Sequence, residues 1–240
     1  MTIELITRVK YPVLYLRMKN SATKTASGDI RFSAAFDDGQ PKLAESYNLL
    51  GSMSDADILL FVHDDVIFLS NGWDKKIEDA IRLGFNVVGV VGSQKYEGGL
   101  IFDAGRQYSS GKLAYLQDGK RRVKLMANRC EIEPVKVVDG LFMAVAADHF
   151  KKTGFDWQFD GLFYYDVDLC LRSNCAVADI LVSHEKPSDL YGKYPADMKP
   201  RDAYADAFNA KHGFKGEPPI GDQSCQQVAY EDYVLDGIKL

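Results

Sequence analysis

Residues Ile58-Leu59-Leu60-Phe61-Val62 form a continuous apolar run that stops abruptly at His63-Asp64-Asp65. A run this short, with no polar alternation, predicts a strand covered on both faces, as in a mostly parallel sheet. Covering both faces requires helices above and below, which selects an α/β layer fold. The flanking segments agree. Ile30–Phe36 reads as a strand ending at the turn signal Asp37-Asp38-Gly39. Residues 42–53 space Leu43, Tyr47 and Leu50 at helical intervals. Residues 74–83 read as a charged amphipathic helix closed by Gly84, and 87–91 as the next buried strand. Two short apolar runs, 3–9 and 11–18, open the chain, and the polar segment 20–27 reads as a loop.

Beyond residue 98 the texture changes. Residues 98–124 are rich in Gly, Tyr, Ser and Lys and read as hairpins and loops. Strand character returns over 135–146. A helix is expected from 166 to 173, a short strand over 180–182 and a further helix over 201–211. The domain reading is one unit over 1–215, with halves of about 1–97 and 98–215, and a polar tail over 216–240.

Bulk properties exclude several classes. With 240 residues the chain can bury a core without disulfide staples. Its four cysteines, Cys130, Cys170, Cys175 and Cys225, include no C-x-x-C pair or zinc-type spacing and read as reduced thiols. A net charge of −5 argues against polyanion binding through bulk charge. The opening residues lack the apolar core of a signal peptide, and no apolar run approaches the roughly 20 residues of a membrane span. A cytoplasmic location is the expectation.

Chemistry concentrates in a few places. Adjacent carboxylates at the carboxyl end of a buried strand are costly unless their charge is offset, and in open α/β sheets that end is where ligands bind. Asp64 and Asp65 therefore read either as a site for a hard divalent cation or as a solvated turn. Asp166 and Asp168 stand in the first turn of the helix expected at 166–173, where the helix dipole favours acids. Asp166, beside Tyr164 and Tyr165, reads either as part of a helix start or as a partly desolvated general base. His184 follows a short strand; it is either structural or, if near Asp65 in space, a metal ligand. The basic run 120–124 reads as a solvated face, with phosphate contact as the alternative.

The order of these blocks resembles the GT-A glycosyltransferases, in particular the family-2-like inverting enzymes. Ser46-Tyr47-Asn48 followed by 57–66 resembles the family's helix, Asn, strand and D-x-D, with His63 at the first Asp position and Asp65 at the last. Residues 138–143 with Gly154-Phe155-Asp156 resemble the acceptor-side strand and its Gly-Phe-Asp. Residues 165–172 resemble the Glu-Asp-x-Asp-Leu-Cys-x-Arg block, whose second acid is the catalytic base. The match covers roughly 40–190. It implies a GT-A (Rossmann-like) single domain: a central, mostly parallel sheet flanked by helices, with a loop- and hairpin-rich acceptor half.

The resemblance also implies roles. Asp65 and His184 would hold Mn²⁺ or Mg²⁺. Asp37, Asp38, Asn48, His63, Asp64 and Gly140 would contact the nucleotide-sugar donor, with UDP-sugar favoured. Asp166 would deprotonate the acceptor hydroxyl, and Asp139, Tyr165, Asp168 and Arg172 would flank the acceptor. Two departures stand out: the usual Val-Ser-Val-Ile-Ile-Pro-type opening strand is missing, and His63 replaces an acid. The acceptor is open among a glycan, a protein, a small molecule and a hydroxymethylated base in DNA, as in virus-type DNA glucosyltransferases. An inactive sugar-nucleotide binding module is a rival class. So is a nucleotidyltransferase, which would usually carry a Gly-rich basic phosphate loop near the start, and none is visible.

Overall fold

The computed structural model describes residues 1–37, 43–159, 161, 163–186, 202–215 and 221–235. In chain order the elements are β1 (Ile3–Val9), α1 (Pro12–Thr25), β2 (Ile30–Phe36), α2 (Leu43–Met53), β3 (Ile58–Val62), β4 (Val66–Phe68), α3 (Trp73–Arg82), β5 (Val87–Gly89) and β6 (Val91–Ser93). There follow β7 (Ser109–Gln117), β8 (Lys120–Leu125), β9 (Ile132–Val135), β10 (Val137–Val138), β11 (Phe142–Ala146), α4 (Ala147–Thr153), α5 (Tyr165–Leu171), β12 (Cys175–Ala178) and β13 (Val182–His184). The chain ends in α6 (Asp202–His212), β14 (Gln226–Ala229) and α7 (Tyr230–Leu235).

The main sheet has seven strands in the order β2-β1-β3-β11-β5-β12-β9. β3 is an inner strand, between β1 and β11, and is buried at every position. Because strand side chains alternate between faces, β3 feeds two cores. Leu59 and Phe61 join the core that contains Tyr47, Phe150 and Tyr165. Ile58, Leu60 and Val62 join the core with Met18, Trp73 and Ile77. Helices thus cover both faces, as the unbroken apolar run requires. Each fully buried large apolar side chain contributes about 1.5–3 kcal/mol, so the middle of the sheet is the stable frame for what hangs from its edge.

The sheet is mixed. β1 pairs in parallel with β2 and β3, and β12 with β5, but β11 runs antiparallel between β3 and β5. The chain crosses from this sheet into a second one four times, after β3, β5, β9 and β12. After β3 it turns through residues 63–65 and enters a second sheet as β4; after β5 it enters that sheet as β6. The expected single strand over 87–91 is therefore two strands in two sheets. The second sheet has the path β10-β6-β7-β13-β4, with β8 and β14 attached at β7.

Other segments depart from the sequence reading. Residues 20–25, expected as a loop, complete α1. The hydroxyls of Ser21, Thr23 and Thr25 donate to carbonyls of their own helix, and Met18 and Ala22 are fully buried. Tertiary burial outweighs the weak helix propensity of Ser and Thr. The basic run 120–124 is strand β8, and part of the segment read as a tail supplies β14, paired antiparallel to β8. The four cysteines are free thiols. No helix among the described residues is long and apolar enough to cross a membrane.

Candidate active site

The turn after β3 and the end of β13 meet where the two sheets diverge. The His63 N–H donates to the Leu141 carbonyl at 3.1 Å, and the Glu185 N–H donates to the Asp65 carbonyl at 2.9 Å. β13 lies antiparallel to β4, with His184 opposite Val66. Residues far apart in sequence thus converge: His63, Asp65 and His184 each offer one ligand atom, all within 4.8 Å of one another.

This cluster suits a divalent cation. His184 Nε2 lies 3.3 Å from Asp65 Oδ1, yet that buried oxygen accepts no well-formed hydrogen bond among the described residues. An orphaned buried carboxylate oxygen is expensive unless a ligand completes it. Burial pushes the Asp65 carboxyl up, but the neighbouring histidines outweigh it and hold it below the usual carboxylate range. Burial pushes His63 down and so favours the neutral, ligating imidazole. For His184, the Asp65 carboxylate outweighs burial and pushes the ring up. Two imidazoles and one carboxylate suit a first-row transition ion better than Mg²⁺.

A hydrogen-bond chain leads from this cluster to Asp166. His63 Nε2 lies 3.1 Å from the Tyr165 hydroxyl. That hydroxyl donates to the Gly140 carbonyl at 3.0 Å, and the Gly140 N–H donates to Asp166 Oδ2 at 2.8 Å. With the tyrosine proton given to Gly140, the histidine must donate from Nε2, which leaves Nδ1 with the free lone pair. Gly140 is required by space: a Cβ there would lie 2.2 Å from the Tyr165 hydroxyl and 2.9 Å from the Asp166 Cβ.

Asp166 is 9% exposed. Burial first, and then repulsion from Asp139, pushes its carboxyl up to about 7. Asp139 also acts electrostatically on both His63 and His184. Asp166 reaches its position through Tyr164, which adopts φ +71°. That left-handed conformation is costly for a bulky residue. It is held by a stacked contact with Phe208 of α6, with ring centroids 4.4 Å apart.

The remaining expected residues are placed elsewhere or otherwise engaged. Asp64 accepts from Lys10 N–H and Tyr11 N–H at 2.8 and 2.7 Å, just ahead of α1. Burial pushes its carboxyl up to about 6. Asp37 pairs with Arg8 at 2.8 Å, at the ends of β2 and β1. Asp38 lies outside the described residues. Asn48 is not brought to the cluster: both ends of its amide bond the Phe155 backbone at 2.8 Å. With Glu45, Leu49, Ser52 and Trp157 it lines a separate surface groove.

Asp168, fully buried, pairs with Arg172 at 2.6 Å, Lys211 at 2.5 Å and His212 at 2.8 Å. Arg172 also donates to the Thr153 and Gly154 carbonyls. Both residues therefore tie α5 to α6 and to the end of α4. Sequence reasoning missed Glu185, which is 1% exposed and paired with Arg17 and Arg121. An acid directly after a buried strand and a candidate ligand was the available signal.

A model of the glycosyltransferase-like family matches residues 30–207. The chain belongs to that family. The segment spans α2, the β3 turn, α5 and His184, so this glycosyltransferase-like protein keeps every converging residue inside the family match. The α/β fold with the GT-A arrangement expected from the three sequence blocks is borne out. Among solved structures, the chain titled "A197 from STIV" is similar at 15% identity, with TM-score 0.44, covering 75% of this glycosyltransferase-like chain and 82% of that one. No curated protein matches the sequence.

Proposed function

We propose that this protein is a metal-dependent inverting glycosyltransferase that moves a sugar from a nucleoside-diphosphate sugar, with a UDP-sugar favoured, to an acceptor hydroxyl. The observation that carries the reading is the hydrogen-bond chain from the His63–Asp65–His184 cluster through Tyr165 and Gly140 to Asp166. It puts a candidate cation site and a candidate base at two ends of one constellation.

His63, Asp65 and His184 would hold the ion, Mn²⁺ or Mg²⁺; the carboxylate suits either, and the two imidazoles favour the transition ion. When bound, such an ion supplies positive charge for the diphosphate that departs. The chain's own residues supply the rest. Asp166, pushed up to about 7, is matched to proton transfer near neutral pH. Both its oxygens accept a backbone N–H, from Gly140 and Val167, which fixes the carboxylate plane. It takes the acceptor's hydroxyl proton as the acceptor oxygen bonds the anomeric carbon. The bond from that carbon to the diphosphate oxygen breaks on the opposite face, the nucleoside diphosphate leaves with the electron pair, and the configuration inverts. Tyr165 holds His63 in one tautomer, and Asp139 keeps the proton affinity of Asp166 high.

The test is product analysis with purified protein, Mn²⁺ and a panel of UDP-, GDP- and CDP-sugars. Slow release of a nucleoside diphosphate, faster with an acceptor, is the expected result. Asp166→Asn should abolish acceptor-stimulated release while the nucleoside diphosphate still raises the melting temperature. Release of pyrophosphate would instead mark nucleotidyl transfer, and binding without turnover an inactive binding module. DNA as acceptor gains nothing specific here. Within the basic run, Arg121 is paired with Glu185 and Lys124 lies 4.9 Å over the Tyr115 ring.

A further inference from the structure

The metal-ligand side chains have few partners of their own. Among the described residues Asp65 Oδ1 accepts no well-formed hydrogen bond, and the contacts of the His184 ring are Asp65 and the edge of His63. Their placement is therefore set by the backbone that carries them, and beside its strand pairing that backbone is held through the two residues next to the ligands, Asp64 and Glu185.

Glu185 directly follows His184, and its N–H closes onto the Asp65 carbonyl at 2.9 Å. Alternation along the strand sends its side chain to the face opposite His184. There it is 1% exposed and ion-paired twice: Oε2 with Arg17 Nη2 of α1 at 2.5 Å, and Oε1 with Arg121 Nη2 of β8. The segment that leads into α1 grips the β3–β4 turn, since Lys10 and Tyr11 N–H groups hold Asp64, the neighbour of Asp65. So α1 and the segment before it brace both ligand-bearing segments, each through the residue next to a ligand. A buried ion pair contributes little net stability over an apolar replacement. Its value here is in fixing one geometry.

We infer that Glu185 is a positioning residue for the cation site: with Arg17 and Arg121 it locks the end of β13 against the β3–β4 turn, so that His184 and Asp65 face each other at ligating distance. The inference rests on the metal reading proposed above. Removing such an outer partner typically costs about 10- to 100-fold in metal affinity.

The test uses the full chain without nucleotide sugar. Mn²⁺ binding is read from the electron paramagnetic resonance signal of free Mn²⁺, well below the melting temperature. Glu185→Gln should weaken Mn²⁺ binding by about 10-fold or more. Arg17→Ala removes a side chain that is 42% exposed; it should fold and show a smaller loss in the same direction. A merely structural role would lower the melting temperature and leave the affinity of the folded protein unchanged, and that outcome in both variants overturns the inference. The histidine ring signals of the metal-free protein are recorded in parallel. If wild-type protein binds no Mn²⁺, the metal reading fails. The positioning role is then still decided: shifted or broadened His184 signals in Glu185→Gln support it, and unchanged signals refute it.

Discussion

Asp166→Asn should change how stability depends on pH, and the size of the change follows from the site. In the folded protein the Asp166 carboxyl is pushed up to about 7, first by burial and then by Asp139. In the unfolded chain an aspartate titrates near about 3.9. Between those values the native state keeps a proton that the unfolded state has released. Unfolding free energy therefore falls as pH rises, by about 1.4 kcal/mol per unit. The contribution is complete below about pH 4 and gone above about pH 7, a span of roughly 4 kcal/mol. Asp64, pushed up to about 6, adds a slope of the same sign that ends about one unit lower. His63, pushed down by burial, and His184, pushed up by Asp65, also contribute around about pH 6–7, so the difference between wild type and variant, not the wild-type curve, isolates Asp166. Asparagine removes its titration but offers one acceptor oxygen to the two N–H groups of Gly140 and Val167. Leaving one donor unpaired costs about 1–3 kcal/mol. The variant should be less stable than wild type at pH 5 and equal or more stable at pH 8. Urea denaturation followed by circular dichroism at pH 5, 6, 7 and 8 reads this directly. A stability difference that stays constant across the series would refute the buried, proton-holding Asp166.

Gly140→Ala puts a Cβ 2.2 Å from the Tyr165 hydroxyl. The forced shift should cost about 1–3 kcal/mol in denaturant titrations and lower the transfer rate about 100-fold through misplacement of Asp166. Tyr165→Phe deletes the hydroxyl that bridges His63 and the Gly140 carbonyl; Mn²⁺ affinity by calorimetry should fall about 10-fold. Asp168→Ala leaves Arg172, Lys211 and His212 without their shared carboxylate. It should destabilise the protein by about 3–5 kcal/mol, and limited proteolysis should cut first around α6.

Local physics made a good part of this protein legible without coordinates. The unbroken run Ile58–Val62 demanded a strand covered on both faces, and the charge that follows it marked the carboxyl end of that strand, where open α/β sheets bind ligands. The acids at the start of α5 were readable for the same reason: a helix start and its charge preference are properties of neighbouring residues. Tertiary structure decided what neighbours cannot. Residues 20–25 became helix because Met18 and Ala22 found a core to enter. Asn48, Asp168 and Arg172 match the family pattern yet spend their polar groups on Phe155, α6 and the end of α4. The meeting of His63 and Asp65 with His184, and the anchoring of Glu185 behind them, depend on the chain switching sheets after β3 and on β13 returning beside β4. Sequence patterns report forces that act over a turn or a strand. The distance between two side chains remote in the chain is set by how whole layers pack, and that follows from the summed burial of many residues, not from any short segment.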